Sequence, residues 1–101
     1  MFKVGFGPIT TQRGPGDDRT AAQMSALAIA SARAAEAVGF DSVWVGEHHF
    51  TDDGYLPAVF PMLSAIAATT DHIMLGTKVL IAPLHHPLRI ADRSQQGRVL
   101  R

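Results

Sequence analysis

The sequence has no cysteine. Disulfide frameworks, thiolate metal sites and thiol nucleophiles are therefore excluded. It has no surplus of either charge: nine Lys and Arg offset nine Asp and Glu, giving a formal net charge of zero. A nucleic-acid binder would need an excess of basic side chains against phosphate, so no nucleic-acid partner is expected. Charged residues are few, 18% against 47% apolar, which places the 101-residue chain with globular domains and not with disordered segments. A long uninterrupted apolar run is missing too. The most apolar stretch, residues 21–38, is broken by Gln23, Arg33 and Glu36, whereas a membrane-spanning helix needs roughly 20 mostly apolar residues. The first residues carry no charged leader ahead of a long apolar core. The expectation is a single domain over residues 1–101, without membrane association and cytoplasmic in location.

What is present alternates. Residues Phe2 to Phe6 read as a strand with Phe2, Val4 and Phe6 on one face, ending at Gly7-Pro8 because proline cannot donate to a ladder. Residues 8–18, rich in Gly, Pro, Thr and Asp, read as a loop that is long for a strand-to-helix connection. A helix is expected to begin between Asp17 and Thr20, to present Met24, Leu27, Ala28, Ser31, Ala35 and Val38 as an apolar stripe, and to stop at Gly39. Ser42 to Gly46 has the β-branched and aromatic content of a buried strand. A polar loop follows. A second helix spans about Pro57 to Thr70 with Phe60, Leu63, Ile66 and Ala67 on one face, and a third strand runs from Ile73 to about Ile81. A further helix starts at Leu88 with few residues left to it. The order β-α-β-α-β predicts an α/β fold with parallel strands and right-handed crossovers.

In such folds ligands gather at the carboxyl ends of the strands. Glu47, His48 and His49 follow the second strand, and His85 and His86 follow the third. Four of the five histidines thus fall at one end, with His72 at the other. A loop histidine is most often solvated and idle, and Trp44 reads equally well as core. Neighbouring residues of an extended segment point to opposite sides, so at most one of each histidine pair should face a pocket. Lys78, within a run of apolar residues, would need a partner or ligand if buried. A metal site from Glu47, His48 and His86 has the right donor types, but the spacing matches no helical His-x-x-x-His pattern, and no metal is expected. Gly5-Phe6-Gly7 lacks the third glycine of a dinucleotide loop.

Glu47-His48-His49-Phe50-Thr51 after a Val-Trp-Val strand resembles the signature of the bacterial luciferase-like flavin monooxygenases. The block from Leu75-Gly76-Thr77 through Pro83-Leu84-His85-His86-Pro87-Leu88-Arg89 is similar to the next motif of that family, and the opening Lys3-Val4-Gly5-Phe6 and the helix end from Ala35 to Ser42 fit as well. The resemblance, over about residues 1–91, implies the N-terminal β-α-β-α-β portion of a TIM (β/α)₈ barrel, an incomplete barrel with parallel strands. It implies an oxidoreductase in which reduced FMN and molecular oxygen oxygenate a small organic substrate, with a deazaflavin coenzyme as the alternative in some members. A flavin reductase partner and a homo-oligomer are further expectations. By motif, His48 and His86 take the catalytic positions, and Glu47, Lys78 and Val79 fall on the cofactor side, the Lys78–Val79 bond where the family often has a non-proline cis peptide. Phe6, Trp44 and Phe50 are expected to line the mouth and keep water from the reacting flavin. His49, turned the other way from His48, is expected to tolerate substitution better.

A (β/α)₈ barrel takes about 250 residues, and three βα units are the most this sequence holds. The tail, residues 92–101, departs from the family and reads as though its helix were mostly deleted. A gene fragment whose chain is inactive alone is the expectation, and a truncated interaction or oligomerisation module without catalysis is the competing one.

Overall fold

Thr20 opens the first helix and Gly39 closes it. The Thr20 side chain accepts from the Gln23 backbone N–H at 3.2 Å, and the Gln23 side chain accepts from the Thr20 N–H at 2.8 Å. This reciprocal pair satisfies two of the helix's orphan donors. At the other end Gly39 sits at φ +92°, the left-handed conformation that glycine adopts without a Cβ penalty. The computed structural model, which describes residues 1–94, is built from β1 (Gly5–Ile9), α1 (Ala21–Ala37), β2 (Ser42–Val45), α2 (Val59–Thr69), β3 (Met74–Thr77), a 3₁₀ turn (Ala82–Leu84) and α3 (Pro87–Ser94). The strands form one parallel sheet in the order β1-β2-β3. Among the described residues no helix is long and apolar enough to cross a membrane.

Both long helices cover the same face of the sheet. Val43 and Val45 of β2 and Leu75 of β3 are buried against Ala28, Ala32 and Ala35 of α1 and Val59, Leu63 and Ile66 of α2. Burying a side chain such as Leu63 stabilises the fold by about 1.5–3 kcal/mol. The alanines of α1 keep that helix close to its neighbours. Its stripe is narrower than the sequence suggests: Met24, Ala28, Ala32 and Ala35 are buried, while Leu27 and Val38 are exposed.

The opposite face carries Gly5, Ser42, Trp44, Met74 and Gly76, and neither α1 nor α2 covers it. Trp44 lies between two glycines: a Cβ would come within 2.7 Å of its ring at Gly5 and 2.6 Å at Gly76. Its indole N–H donates to Ser42 Oγ at 3.0 Å.

Two strands differ from the expectation. β1 does not end at Gly7-Pro8 but runs through it to Ile9, with a cis Gly7–Pro8 bond and an irregular register between Phe6 and Ile9. Among the described strands β1 has a single neighbour, so a residue without an N–H is tolerated at the bulge and pairing resumes beyond it. Residues 2–4 precede the ladder; Val4 is held by Asp41, whose carboxylate accepts its N–H at 2.7 Å. β3 ends at Thr77, four residues short of the expected Ile81; Lys78 N–H still donates to Val45 O and Val79 O accepts from Glu47 N–H, but Ile81 N–H donates to the Glu47 carboxylate and Ala82 N–H to the Leu80 carbonyl. Lys78 therefore lies outside the strand and is exposed, so it is not the buried ammonium the apolar run suggested. A helix does form over residues 87–94, where the sequence reading expected most of it to be lost. Of the tail assigned to residues 92–101, the part from 95 lies outside the described residues.

Candidate functional site

The parallel order places the carboxyl ends of β2 and β3 side by side, and the loops leaving them meet at Glu47. Its carboxylate is buried, 3% exposed, and accepts three donors. His49 Nε2 lies 2.7 Å from Oε1, His85 Nε2 lies 2.9 and 3.1 Å from the two oxygens, and Ile81 N–H donates at 2.8 Å. Burial on its own would raise this carboxyl's pKa. The hydrogen bonds from His49, the Ile81 amide and His85 outweigh it and hold the group below the usual carboxylate range. An ionised carboxylate only accepts, so both imidazoles present Nε2–H to it. His85 also meets the Phe60 ring edge-on at 5.3 Å.

His48 and His86 are exposed. The His48 ring lies 5.1 Å from that of Tyr55, and its backbone N–H donates to the Leu56 carbonyl. His86 flanks α3, with Nδ1 accepting the Leu88 N–H at 3.2 Å and Pro87 at the first helical position. Each histidine pair is thus divided as the alternation of an extended chain requires. Glu47 and His49, two residues apart, share a side, a parity that the sequence contains. His49, expected to tolerate substitution better than His48, has its ring 2.7 Å from the buried carboxylate. The pairing with His85 is long-range and has no local signal.

Between the two loops the floor is Gly46. A Cβ there would lie 3.1 Å from both the Lys78 carbonyl oxygen and the Tyr55 hydroxyl, and 3.5 Å from Pro8. Backbone bonds draw the three strand ends together: Gly46 N–H to Ile9 O, Glu47 N–H to Val79 O and Lys78 N–H to Val45 O. The Lys78–Val79 peptide is cis. Val79 is 63% exposed, an apolar side chain open at this edge. Tyr55, which drew no notice in the sequence, has a hydroxyl at this floor; it is the one tyrosine in the chain and sits in a polar loop.

The long connection of residues 10–20 is laced to the loop after β2. Leu56 N–H donates to Thr10 O, Thr11 Oγ1 to Gly54 O, Arg13 N–H to Asp53 O, and Gln12 Nε2 to the Asp53 carboxylate. An open depression of about 760 Å³ beside these loops is lined by Gln12, Arg13, Asp17 and Asp53 and none of the histidines. The aromatic mouth does not assemble. Phe6 pairs with Val43 and turns to the helix side, edge-on to Phe40 at 5.6 Å; Trp44 is on the other face; Phe50, at φ +59°, is fully exposed. His72, at the amino end of β3, stands at the opposite edge with Nδ1 3.4 Å from Glu36. Among the described residues no group of three or more acidic or histidine side chains is arranged to hold a metal ion.

The family model described as luciferase-like monooxygenase matches residues 4–94. The chain belongs to that family. Luciferase-like monooxygenases with solved structures are TIM barrels, and this chain is a β-α-β-α-β portion of that barrel. It is 32% identical over 77% of its length to the oxygenase component of a flavin-dependent trigonelline monooxygenase from Acinetobacter baylyi. It is 44% identical over 57% of its length to an F420-dependent glucose-6-phosphate dehydrogenase from Beutenbergia cavernae. The oxygenating constituent of 3,6-diketocamphane monooxygenase from Pseudomonas putida, solved with FMN, superposes on 90% of the chain with a TM-score of 0.72 and 28% identity. The chain spans 22%, 18% and 24% of the lengths of these three.

Proposed function

We propose that the chain contributes the β1–β3 side of a flavin site at which molecular oxygen and a small organic substrate react, the substrate leaving oxygenated. The observation that carries this reading is the edge around Gly46, where three strand ends converge, the Lys78 carbonyl, the Tyr55 hydroxyl and Pro8 close on the glycine, and Val79, Lys78 and His48 are exposed. The residues fit a planar, partly apolar cofactor: Val79 offers open apolar surface, Lys78 an exposed ammonium for an anionic edge, and the Glu47 backbone N–H holds the Val79 carbonyl at 3.2 Å. Reduced FMN, when bound, supplies the electrons that activate oxygen. The FMN in the diketocamphane enzyme supports that choice.

His48 and His86 are proposed as the catalytic imidazoles. Both are accessible, and an imidazole carries a nitrogen that can give a proton and one that can take it, so either ring can serve the reacting atoms. Two relatives are an oxygenase component and an oxygenating constituent. A separate flavin reductase is the matching partner. The F420-dependent relative favours a second reading, hydride transfer with a deazaflavin at the same edge.

Titration of oxidised and reduced FMN, and of F420, into the chain and into a version completed to a whole barrel tests both readings. Binding of reduced FMN by the completed barrel is expected. Binding of F420 without FMN would select the second reading, and binding of neither would overturn both.

A further inference from the structure

Nothing in the proposed reaction requires a buried carboxylate that faces away from the open edge, yet Glu47 is nearly sealed and all its partners are protein groups. Three donors converge on it from two loops: His49 from the loop after β2, and Ile81 and His85 from the loop after β3. A buried anion is tolerated only when such donors replace its water. Both imidazoles must then keep a proton on Nε2, which makes the cluster a cage of N–H donors around one carboxylate.

We propose that Glu47 is the positioning residue of the site: through His49 and His85 it fixes the two loops whose exposed neighbours, His48 and His86, handle protons. The inference deepens the flavin reading and rests on it for the roles of those two rings. The chain connectivity makes the coupling direct. His48 lies between two residues of the cluster, Glu47 and His49, so its backbone is held on both sides and its ring projects to the other side, 5.1 Å from that of Tyr55. His86 follows His85 and begins α3, so the same clamp sets where that helix starts. Glu47 touches no open surface from which it would contact cofactor or substrate itself. A carboxylate is required because both Nε2–H groups lie nearest Oε1, at 2.7 and 2.9 Å, while Oε2 takes the Ile81 N–H at 2.8 Å; a glutamine NH₂ would face the Ile81 N–H in one orientation and both imidazoles in the other.

Imidazole ¹⁵N–¹H spectra of the 101-residue chain at neutral pH test this without any flavin. The expected wild-type result is two slowly exchanging Nε2–H signals, from His49 and His85, and a ring–ring contact between His48 and Tyr55. In Glu47→Gln either both imidazole signals or the slow exchange of the Ile81 amide is lost, and the His48–Tyr55 contact weakens while the helical circular dichroism is retained. Should Glu47→Gln fail to fold, His49→Asn and His85→Asn carry the test singly: each leaves the carboxylate, the remaining imidazole keeps its Nε2–H, and in His49→Asn the His48–Tyr55 contact weakens. A wild type in which His49 and His85 exchange between tautomers overturns the proposal, and so does a His48 ring unmoved in the Glu47 and His49 variants. Because these signals do not depend on cofactor, the clamp can fail while flavin binding stands, and flavin binding can fail while the clamp stands.

Discussion

Single residues in this chain are constrained by what lies within 3 Å of them as much as by their own chemistry. Gly76 is one such case, since a Cβ there would meet the six-membered ring of Trp44 at 2.6 Å. Gly76→Val should destabilise the fold by about 1–3 kcal/mol, the usual range for overpacking, read from the midpoint of urea unfolding. Gly14→Ala, with nothing within 4 Å, should stay within about 0.5 kcal/mol of wild type. His48 is the opposite kind of residue: exposed, with a ring contact but no buried partner. In a barrel that binds flavin, His48→Ala should lower oxygenation by about 10²–10⁴-fold, the worth of a positioned proton-transfer group, and leave flavin affinity nearly unchanged. Product and hydrogen peroxide measured together check this, with peroxide rising as product falls. Unchanged oxygenation would remove His48 from the chemistry. His49→Ala, by contrast, should act on stability, because it takes a donor from a buried carboxylate.

At the scale of elements, Glu36 joins the end of α1 to the start of β3. Its carboxylate accepts the backbone N–H groups of Asp71, His72 and Ile73 at 2.8–3.1 Å. The His72 amide bond is the main cause holding its pKa down to about 2 from 4.5, with Asp71 and Ile73 adding to it against burial. A folded-state pKa below the unfolded value means that the unfolded chain binds the proton first. This contribution to stability is therefore complete above about pH 4.5 and lost as the pH falls toward about 2. Glu36→Gln should be less stable than wild type at pH 6, and the gap should narrow steadily on acidification; denaturant midpoints from pH 6 to 2.5 measure it. The elements themselves were largely legible, because their signals are local: the Thr20 cap, the Gly39 stop and the apolar runs of β2 and α2 lie within a few residues of what they specify. The misjudged ends were those decided by distant partners. β1 continues past Pro8 because Ile9 finds Val45. β3 does not reach Ile81 because the Ile81 amide finds the Glu47 carboxylate. The site divided the same way. That one histidine of each pair turns inward follows from alternation, but which one depends on the carboxylate placed between the two loops.

For the molecule as a whole, the three-stranded sheet has, among the described residues, one face covered by the long helices and one left bare by them, and in a (β/α)₈ barrel that second face is the packed interior. Barrel sites that bind phosphate draw on loops after the later strands. The 101-residue chain should accordingly bind FMN more weakly than a completed barrel does, and isothermal titration of both gives the ratio. Equal affinities would mean that the edge around Gly46 supplies the whole site.

The single tryptophan occupies that bare face, half-buried, with its N–H tied to Ser42 and its ring bracketed by Gly5 and Gly76. It is therefore a built-in optical gauge. Strands laid across the face would drive water from the indole and move its emission to shorter wavelength. A flavin at the carboxyl edge would leave the wavelength alone and dim the emission by energy transfer. One fluorescence spectrum thus separates closure of the barrel from occupancy of its mouth, with no label added to the chain.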